Sequence, residues 1–320
     1  MATEVYTLAT LEAYQPEGDL YAVIGSPIAH SLSPILQKPA FDHYGMKAEY
    51  LRVHVEADEL PAAITLFKKK GLKGFNITLP YKIRVMEHLE EIDAGARTLG
   101  AVNTATLREG KLAGYNTDGP GWVRALRDVF SVDVRDLRVM VLGLGGAGEA
   151  LATQAALEGC ERLVLVNRNT EKTQMLAEKL KPYFRSEKLM GARDRLMALP
   201  WDEDRIAKEV DGIDLIVHCT PVGLNASDPS PVPARVLQPH LLVYDTIYSP
   251  PVTSLMRAAR AVGARAANGL SMLLHQGALS FEIWTGREAP IQKMKEALEA
   301  YAQHLKNSLK GDFQREENDK

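Results

Sequence analysis

The feature that most constrains the fold is a glycine-rich turn that directly follows an apolar stretch near the middle of the chain. Residues 137–142 are nearly all apolar, and Gly143, Gly145 and Gly148 follow in the spacing G-x-G-x-x-G. A helical pattern then extends to Glu158, and residues 162–166 form a second apolar stretch. This order of strand, glycine turn, helix and strand predicts parallel sheet, with a pyrophosphate held by the glycine backbone and the helix N-terminus. A glycine-rich turn that binds no ligand is the alternative left open.

The residues after the second strand indicate which dinucleotide such a turn would serve. A fold that prefers NAD places an acidic residue at the end of this strand, where it accepts a hydrogen bond from a ribose hydroxyl. Here Asn167 and Arg168 stand at the strand end, Lys172 follows one turn later, and the acid Glu171 lies inside the next helix. A guanidinium grips a phosphate through two parallel hydrogen bonds. The sequence therefore predicts NADP; the alternative is that Arg168 and Lys172 are only solvated charges at a helix start.

Strand and helix patterns also alternate over residues 1–117, ahead of the glycine turn. Such alternation is typical of an α/β domain with a mostly parallel sheet. Ser33 is predicted to cap a helix that has Pro34 in its first turn. Residues 185–210 are charged and irregular, so we expect a surface insertion or mobile helices there. The other expected elements are strands at 20–25, 49–53, 72–77, 213–218 and 241–245, helices at 34–44, 58–70 and 118–130, a helical stretch from Pro80, and a hairpin over 101–115.

Charge and composition exclude several classes of protein. The chain carries 38 Lys and Arg against 41 Asp and Glu, for a net charge of −3, which argues against nucleic-acid binding. No apolar run reaches the roughly 18 residues of a transmembrane helix, and residues 1–5 do not resemble a secretory signal. The 2 cysteines and 8 histidines show no metal-ligand spacing. We therefore expect a cytoplasmic protein that needs no metal and acts on small molecules, with a homodimer left open.

Small polar residues gather beside the predicted strands of the first 118 residues, at 25–34, 76–82, 101–104 and 116–118. Because the carboxyl ends of parallel strands meet at one edge of a sheet, these side chains are expected to converge. Their hydroxyls, amides, lysine and aspartate suit a small anionic ligand that carries several hydroxyl groups. Taken singly, Ser33 and Asp118 could serve only as helix caps, and Asn103 could serve only a turn.

These clusters and the glycine turn resemble, in order, the motifs of the shikimate dehydrogenases. The resembling segments are 25–34, 76–82, 100–104, 116–119, 143–147, 167–168, 244–248 and 268–276, so the likeness covers most of the chain. The resemblance implies an α/β fold of two domains with the active site in the cleft between them. It implies a substrate-binding catalytic domain over 1–117 and 269–308, and a Rossmann-type NADP-binding domain over 118–268. The polar residues 309–320 are expected to form a frayed tail.

The resemblance also implies an activity, the NADP-dependent reduction of 3-dehydroshikimate to shikimate in aromatic amino-acid biosynthesis. Lys82 is implied as the acid and base of the reaction, next to Asp118. The residues implied to hold the substrate are Ser31, Ser33, Thr78, Lys82, Asn103, Asp118, Tyr248 and Gln276. The residues implied to hold NADP are Gly143, Leu144, Gly145, Gly146, Ala147, Asn167, Arg168, Lys172, Thr246, Gly269 and Met272.

The chain departs from the usual pattern of that family on the cofactor side. Asn169 replaces a threonine, His218 and Cys219 replace asparagine and alanine, and Ser271 stands where glycine is common. The segment 185–210 is also longer than is typical. These departures make the affinity for the cofactor harder to predict than the identity of the substrate.

Two alternatives to this activity are retained. One is a quinate or quinate/shikimate dehydrogenase that uses NAD, against which Arg168 argues. The other is a non-catalytic protein that senses NADP on the same fold, and the presence of both Lys82 and Asp118 argues against it.

Overall fold

The chain divides into two compact units that are not each continuous in sequence. The computed structural model describes residues 4–184, 194–225 and 227–303. The first unit comprises Met1–Thr117 and Leu274–Lys320, and the second comprises Asp118–Leu273. The tail expected at 309–320 lies outside the described residues. No helix in the described ranges is long and apolar enough to cross a membrane.

The first unit is built on a seven-stranded sheet in the order β1-β3-β2-β4-β6-β7-β5. Strands β1 to β4 are mutually parallel where they pair, and β6 is antiparallel to both β4 and β7. The α/β class with a mostly parallel sheet, as the sequence predicted, is confirmed. The strands are β1 (Val5–Tyr6), β2 (Asp19–Gly25), β3 (Ala48–His54), β4 (Gly74–Ile77), β5 (Glu91–Ile92), β6 (Thr104–Arg108) and β7 (Lys111–Tyr115), and the helices are α1 (Leu8–Ala13), α2 (Ser33–His43), α3 (Leu60–Lys70) and α4 (Ala94–Leu99).

Helix α3 shows how sequence periodicity places a helix on this sheet. Its apolar residues Leu60, Ala63, Ile64 and Phe67 recur at helical spacing, and all four are buried. The helix ends at Gly71, which adopts a left-handed conformation with φ 67° that other residues rarely tolerate. The apolar stripe therefore faces the sheet, and the chain turns directly into β4.

The helical stretch expected from Pro80 is a turn followed by a short 3-10 helix at Arg84–His88, so the stretch is helical but begins later than predicted and is not an α-helix. In an α-helix the carbonyl of Lys82 would accept from residue 86. Here it accepts instead from the backbone N–H of Val102 at 2.8 Å, and Met86 donates to Ile83. The bond to the neighbouring segment therefore replaces the helical bond and leaves Lys82 on the turn.

The second unit contains a six-stranded, fully parallel sheet in the order β10-β9-β8-β11-β12-β13. The chain starts at the central strand β8, winds outward to β10, returns to β11 and then winds to the other edge. This order is that of the dinucleotide-binding α/β fold, in which ligands bind where the winding reverses. The strands are β8 (Arg138–Leu142), β9 (Arg162–Asn167), β10 (Leu196–Pro200), β11 (Leu215–His218), β12 (Leu242–Asp245) and β13 (Arg265–Ala267), and the helices are α5 (Asp118–Phe130), α6 (Gly146–Glu158), α7 (Thr170–Leu180), α8 (Glu203–Glu209), α9 (Ser254–Ala261) and α10 (Leu270–Thr285).

Alternate residues of the central strands face two different apolar layers. In β8, Val139 and Val141 join the layer that contains Trp122 of α5, whereas Met140 and Leu142 join the layer that contains Leu255 of α9. A parallel sheet needs such cover on both faces, which is why these strands are continuous apolar runs in the sequence. The glycine turn after β8 is thereby fixed to a rigid, fully buried strand.

The segment 185–210 is more regular than its charge suggested. Residues 185–193 lie outside the described residues, but β10 pairs in parallel with β9 and α8 follows it. The expectation of a surface insertion or mobile helices is therefore wrong for β10, which is a strand of the sheet, whereas a helix does form at Glu203–Glu209. The short apolar stretch of β10 lies at the sheet edge and is only half-buried, so its sequence carries a weak signal between charged neighbours.

Helix α10 contains the second boundary between the units, because one unit ends at Leu273 and the other resumes at Leu274. The sequence had placed this boundary at residue 269. After Leu274 the helix packs in the first unit, where the indole N–H of Trp284 donates to the Ala105 carbonyl at 2.9 Å. A Cβ on Gly74 would lie 2.2 Å from the Trp284 ring, so this glycine makes room for the indole. Residues 291–303 are again helical.

Candidate active site

The glycine turn of the second unit lies between β8 and β11, where the strand order reverses. Gly143 has a φ of 90°, and a Cβ there would lie 2.6 Å from the Thr220 methyl carbon. A Cβ on Gly148 would lie 1.8 Å from the Gly143 carbonyl oxygen, so this glycine allows α6 to approach the turn. A Cβ on Gly145 or on Gly146 would meet nothing within 4 Å. These two glycines therefore leave backbone accessible to something outside the protein, as a bound phosphate requires.

The start of α6 supplies the donors for such a phosphate. Gly145 occupies the N-cap position and offers no side chain to accept from the first turn. The first N–H groups of a helix have no partner within the helix and carry the positive end of its dipole. At the end of β9, the Asn167 side-chain oxygen lies 3.5 Å from the Leu144 nitrogen and so approaches the same turn. A pyrophosphate therefore fits the residues that the sequence placed here: Gly143, Leu144, Gly145, Gly146 and Ala147.

The two basic residues after β9 differ in their surroundings. Arg168 is exposed, and no acid lies within ion-pair distance of it in the part of the chain that the structure describes. The Lys172 ammonium lies 3.6 Å from a carboxylate oxygen of Glu149, a residue in the first turn of α6. Asn169 caps α7 by accepting from the Lys172 backbone N–H at 2.9 Å. Asparagine and threonine both cap helices, which accounts for the departure at 169.

The loops after β11 and β12 and the start of α10 meet beside the glycine turn. The Thr246 hydroxyl donates to the His218 carbonyl at 2.9 Å. A Cβ on Gly269 would lie 2.1 Å from the Thr246 carbonyl oxygen, so only glycine permits this approach. The Met272 backbone N–H donates to the Tyr244 hydroxyl at 3.1 Å. The predicted cofactor residues Thr246, Gly269 and Met272 are thus brought together.

Ser271 has a structural partner that glycine could not offer. Its hydroxyl lies 3.0 Å from that of Tyr244, whose ring is buried. Burial raises the pKa of Tyr244 because the charged form is excluded from the interior. The serine therefore satisfies a buried hydroxyl at the point where α10 begins.

In the first unit, the loop after β2, residues 26–33 and here called the serine loop, brings the two predicted serines together. The Ser31 hydroxyl donates to that of Ser33 at 3.2 Å, and the Ser33 backbone N–H lies 3.3 Å from the Ser31 hydroxyl oxygen. Ser33 is not the cap of α2, because Leu32 occupies that position without a side-chain bond. The expected capping role of Ser33 was therefore wrong, and its hydroxyl is not used in capping.

Arg52 supports this loop and was missed by the sequence analysis. The residue is 4% exposed, and its Nε donates to the Ser31 carbonyl at 2.8 Å. Burial lowers the pKa of Arg52, since the charged form loses hydration. An alternating strand pattern gives no sign that one arginine of β3 points inward toward a loop, so sequence alone offered little signal for it.

The turn after β4 adjoins the serine loop. The Thr78 backbone N–H donates to the Ile24 carbonyl at 2.9 Å, and the Ser26 N–H donates to the Leu79 carbonyl at 3.1 Å. Lys82 is half-buried on the same turn. Since β2 and β4 are parallel neighbours, Ser31, Thr78 and Lys82 all follow strand ends at one edge of the sheet.

Asn103 and Gln276 meet at this edge as well. The Asn103 side-chain nitrogen lies 3.4 Å from the Gln276 side-chain oxygen, and both residues are buried. Thr117 orients the Asn103 amide, since its backbone N–H donates to the Asn103 oxygen at 2.7 Å and its hydroxyl accepts from the nitrogen at 2.9 Å. Thr117, at the end of this segment, was also missed as a supporting residue.

The two remaining candidates for the substrate belong to the second unit. Asp118 is 9% exposed and is the first residue of α5, directly after Thr117 in the chain. Tyr248 is half-buried in the loop after β12, and burial raises its pKa. Within the described ranges no group of three or more His, Cys, Asp and Glu is arranged to hold a metal ion.

The two units define an α/β protein with a dinucleotide-type parallel sheet and a separate cluster of hydroxyl, amide and lysine groups. Three family descriptions match the chain: the shikimate dehydrogenase substrate binding domain at 23–105, shikimate / quinate 5-dehydrogenase at 125–199, and the shikimate 5'-dehydrogenase C-terminal domain at 269–299. A shikimate dehydrogenase (NADP(+)) of Methanopyrus kandleri is 40% identical over 284 residues, covering 88% of this chain and 95% of that protein. The chain therefore belongs to the shikimate dehydrogenase family.

Solved structures agree with this assignment. A shikimate dehydrogenase in complex with NADP+ has a TM-score of 0.81 and 35% identity, covering 90% of this chain and 97% of that one. The shikimate 5-dehydrogenase of Thermus thermophilus, in complex with NADP(H) and shikimate, has a TM-score of 0.76 and 33% identity, covering 87% of this chain and 98% of that one. The resemblance that the motifs predicted is thus confirmed.

Proposed function

We propose that the chain is an NADP-dependent shikimate dehydrogenase, which reversibly reduces 3-dehydroshikimate to shikimate in aromatic amino-acid biosynthesis. The observation that carries this proposal is the grouping of Ser31, Thr78, Lys82, Asn103 and Gln276 at one edge of the first sheet. Such a set of hydroxyls and amides with a single lysine matches a small ring that bears hydroxyl groups and one carboxylate.

The serine loop receives the carboxylate in this proposal. The hydroxyls of Ser31 and Ser33 offer two donors, and the start of α2 adds the positive end of its dipole. The buried Arg52 guanidinium adds a positive charge behind the loop while holding the Ser31 carbonyl. The amides of Asn103 and Gln276 and the hydroxyl of Thr78 then serve the ring hydroxyls, together with Tyr248.

The second unit holds the cofactor. Gly143 to Ala147 receive the pyrophosphate, and Arg168 with Asn167 and Lys172 receives the ribose phosphate. Thr246, Gly269 and Met272 complete the site beside the glycine turn. Bound NADPH supplies the hydride that reduces the ring carbonyl.

Lys82 provides the proton that this reduction requires. As an ammonium it polarises the carbonyl and then donates a proton to the oxygen, and it takes the proton back in the reverse direction. Asp118 is the acidic residue that the proposal assigns to the same reaction step. The reaction needs no metal, since the lysine supplies the electrophilic assistance.

A dehydrogenase assay at the nicotinamide absorbance tests the proposal by crossing shikimate and quinate with NADP and NAD. We expect the ratio kcat/KM to be highest for shikimate with NADP, by about tenfold or more over NAD, from one charge-assisted phosphate contact. A preference for quinate with NAD would favour the alternative enzyme. NADP binding without turnover of either acid would favour a sensing protein.

We also propose that the enzyme works in the cytoplasm. Both of its cysteines, Cys160 and Cys219, are free thiols, as is usual in a reducing compartment. Fractionation of cells that express the native chain tests the compartment. A homodimer stays a prediction, which sedimentation of the purified protein tests.

A further inference from the structure

A buried histidine and aspartate lie side by side in the second unit and have no role in the proton transfer described above. His218 ends β11 and Asp245 ends β12, and both are 0% exposed. The His218 Nδ1 lies 3.0 Å from an Asp245 carboxylate oxygen. Buried charged and polar groups of this kind are costly unless every one of them finds a partner.

Every partner is present in this case. Asp245 also accepts from the Ile247 backbone N–H at 3.0 Å and from the Thr253 hydroxyl at 2.6 Å. Thr253 in turn caps α9 by accepting from the Met256 backbone N–H. On the other side, the His218 Nε2 lies 2.6 Å from the Thr220 hydroxyl oxygen. The network thus extends without a break from the start of α9 to Thr220.

The carboxylate fixes the direction of the hydrogen bond between the two side chains. As a carboxylate, Asp245 only accepts, so the proton between the two side chains is on the His218 Nδ1. In the neutral ring the Nε2 then accepts the Thr220 hydroxyl proton. The Thr220 oxygen is left to accept from the Val222 backbone N–H, which lies 3.2 Å away. The hydroxyl of Thr220 therefore orients the backbone of the loop that follows β11.

This loop forms one wall of the glycine turn. The Thr220 methyl carbon lies 2.6 Å from the place that a Cβ on Gly143 would occupy. The Cys219 backbone N–H donates to the Leu142 carbonyl at 2.8 Å, directly before the turn. A shift of Thr220 would therefore move the wall against which the phosphate-binding backbone is placed.

We infer that His218 and Asp245 are positioning residues for the cofactor site, acting through Thr220 on the loop 219–223 and on the glycine turn. This inference rests on the proposed function, because it concerns the site proposed there for NADP. It also gives a physical reason for the histidine at 218. The imidazole spans from Asp245 to Thr220, a distance that the shorter asparagine side chain does not cover.

The test replaces Thr220 with Val, which keeps the shape and the methyl contact but removes the hydroxyl. We expect NADPH binding, measured by its fluorescence, to weaken by about three- to tenfold, as for the loss of one organising hydrogen bond. The KM for shikimate and kcat at saturation should change less than about twofold. Hydrogen exchange at residues 219–223 should become faster. Thr220→Ser keeps the hydroxyl and should restore both binding and protection.

Two further variants separate positioning from general stability. Thr106→Val is a matched control, since Thr106 is buried in the first unit and its hydroxyl donates to the Lys73 carbonyl at 3.1 Å. It should lower thermal stability and leave NADPH binding unchanged. His218→Asn should weaken NADPH binding in the same range as Thr220→Val. The double variant should bind NADPH no more weakly than the weaker-binding single variant, because both changes break the same hydrogen bond between His218 and Thr220.

Several results would overturn the inference. One is that Thr220→Val leaves NADPH binding and hydrogen exchange unchanged. Another is that Thr220→Ser or Thr106→Val weakens NADPH binding as much as Thr220→Val does. A third is that the losses of NADPH affinity add in the double variant. Failure of the proposed function has a different signature, because the parent protein itself would then neither bind NADPH nor oxidise shikimate.

Discussion

Lys82 lies in a turn, and its backbone carbonyl accepts a hydrogen bond from the Val102 N–H. Replacing Lys82 with Met keeps the volume of the side chain but removes the charge and the transferable proton. We expect kcat to fall by about 10²–10⁴ at saturating shikimate and NADP, with a smaller change in shikimate binding. Lys69→Met is the matched control, since Lys69 is an exposed lysine paired with Glu12, and it should keep full turnover. Turnover of Lys82→Met within about threefold of the parent would show that Lys82 is not the acid.

Arg168 and Lys172 differ in their surroundings, and this difference predicts unequal roles. Arg168→Asp removes the exposed guanidinium and adds an acceptor for a ribose hydroxyl. NADP should therefore bind about ten- to hundredfold more weakly, while the affinity for NAD stays the same or rises. Lys172→Met should have a smaller effect, because Lys172 already lies 3.6 Å from Glu149. Titration of each variant with both cofactors measures this. Equal NADP affinity in Arg168→Asp and the parent would refute the assignment.

Replacing Ser31 or Ser33 should affect the binding of shikimate more than the chemical step. Ser31→Ala and Ser33→Ala should each raise the KM for shikimate more than they lower kcat, because hydroxyl contacts are lost while Lys82 remains. Since Leu32 and not Ser33 occupies the cap of α2, Ser33→Ala should change the melting temperature little. Steady-state kinetics and thermal unfolding check both points. A large loss of stability with parental KM would restore the capping role.

At this scale the sequence indicated candidate residues, whose roles stay predictions, and it missed the residues that support them. Asn103 was predicted as a ligand residue, and it does lie beside Gln276, but its orientation depends on Thr117. Arg52 reaches the Ser31 carbonyl from a strand that carries no motif. Such partners are set by tertiary packing and leave no local pattern, so only the fold reveals them.

At the scale of elements, Asp133 joins α5 to the start of β8. It accepts from Arg135 and Arg127 and from a backbone N–H, and these hydrogen bonds hold the pKa of its carboxyl well below the usual range. The folded pKa lies below the unfolded value of about 3.9. Its contribution to stability is therefore complete above that value and is lost as the pH falls toward the folded pKa.

Asp133→Asn should accordingly lower the free energy of unfolding by about 1 kcal/mol near pH 7, the magnitude of a modestly exposed ion pair together with a cap. The difference from the parent should shrink as the pH approaches 4 and below. Urea unfolding at several pH values measures it. Asp136→Asn is the control, since Asp136 lies in the same 3-10 turn without a described salt bridge. A stability loss in Asp133→Asn that does not depend on pH, or an equal stability loss in Asp136→Asn, would contradict the assignment to Asp133.

Whether an element was predictable from sequence depended on how completely it is buried. The strands β8 and β9 and the helix α6 were placed nearly to the residue, because a parallel strand covered on both faces is a continuous apolar run. The edge strand β10 was missed because half-burial weakens that signal. The stretch after Lys82 was predicted as helical, but its later start and 3-10 type were not, because a long-range hydrogen bond from Val102 decides against an α-helix.

At the scale of the whole molecule, the first unit is built from two segments, one from each end of the chain. Helix α10 crosses from one unit to the other at residue 274 and then supplies Phe281 and Trp284 to the first unit. The ring of Phe281 lies 5.7 Å from that of Phe41, and the Trp284 ring lies 5.2 Å from that of Tyr21. By contrast, the buried apolar residues described for the layers of the second unit all belong to the continuous stretch 118–273.

Ending the chain after Leu273 should therefore unfold the first unit and leave the second folded. Loss of two buried aromatic side chains alone is worth about 3–5 kcal/mol each, which is comparable to the whole stability of a domain. We expect limited proteolysis to leave a resistant fragment that begins near residue 118, and we expect NADPH binding to persist while shikimate binding is lost. A chain that ends after residue 303 is the control and should bind both NADPH and shikimate. A resistant fragment that includes residues 1–117 in the shorter chain would show that α10 is not needed for the first unit to fold.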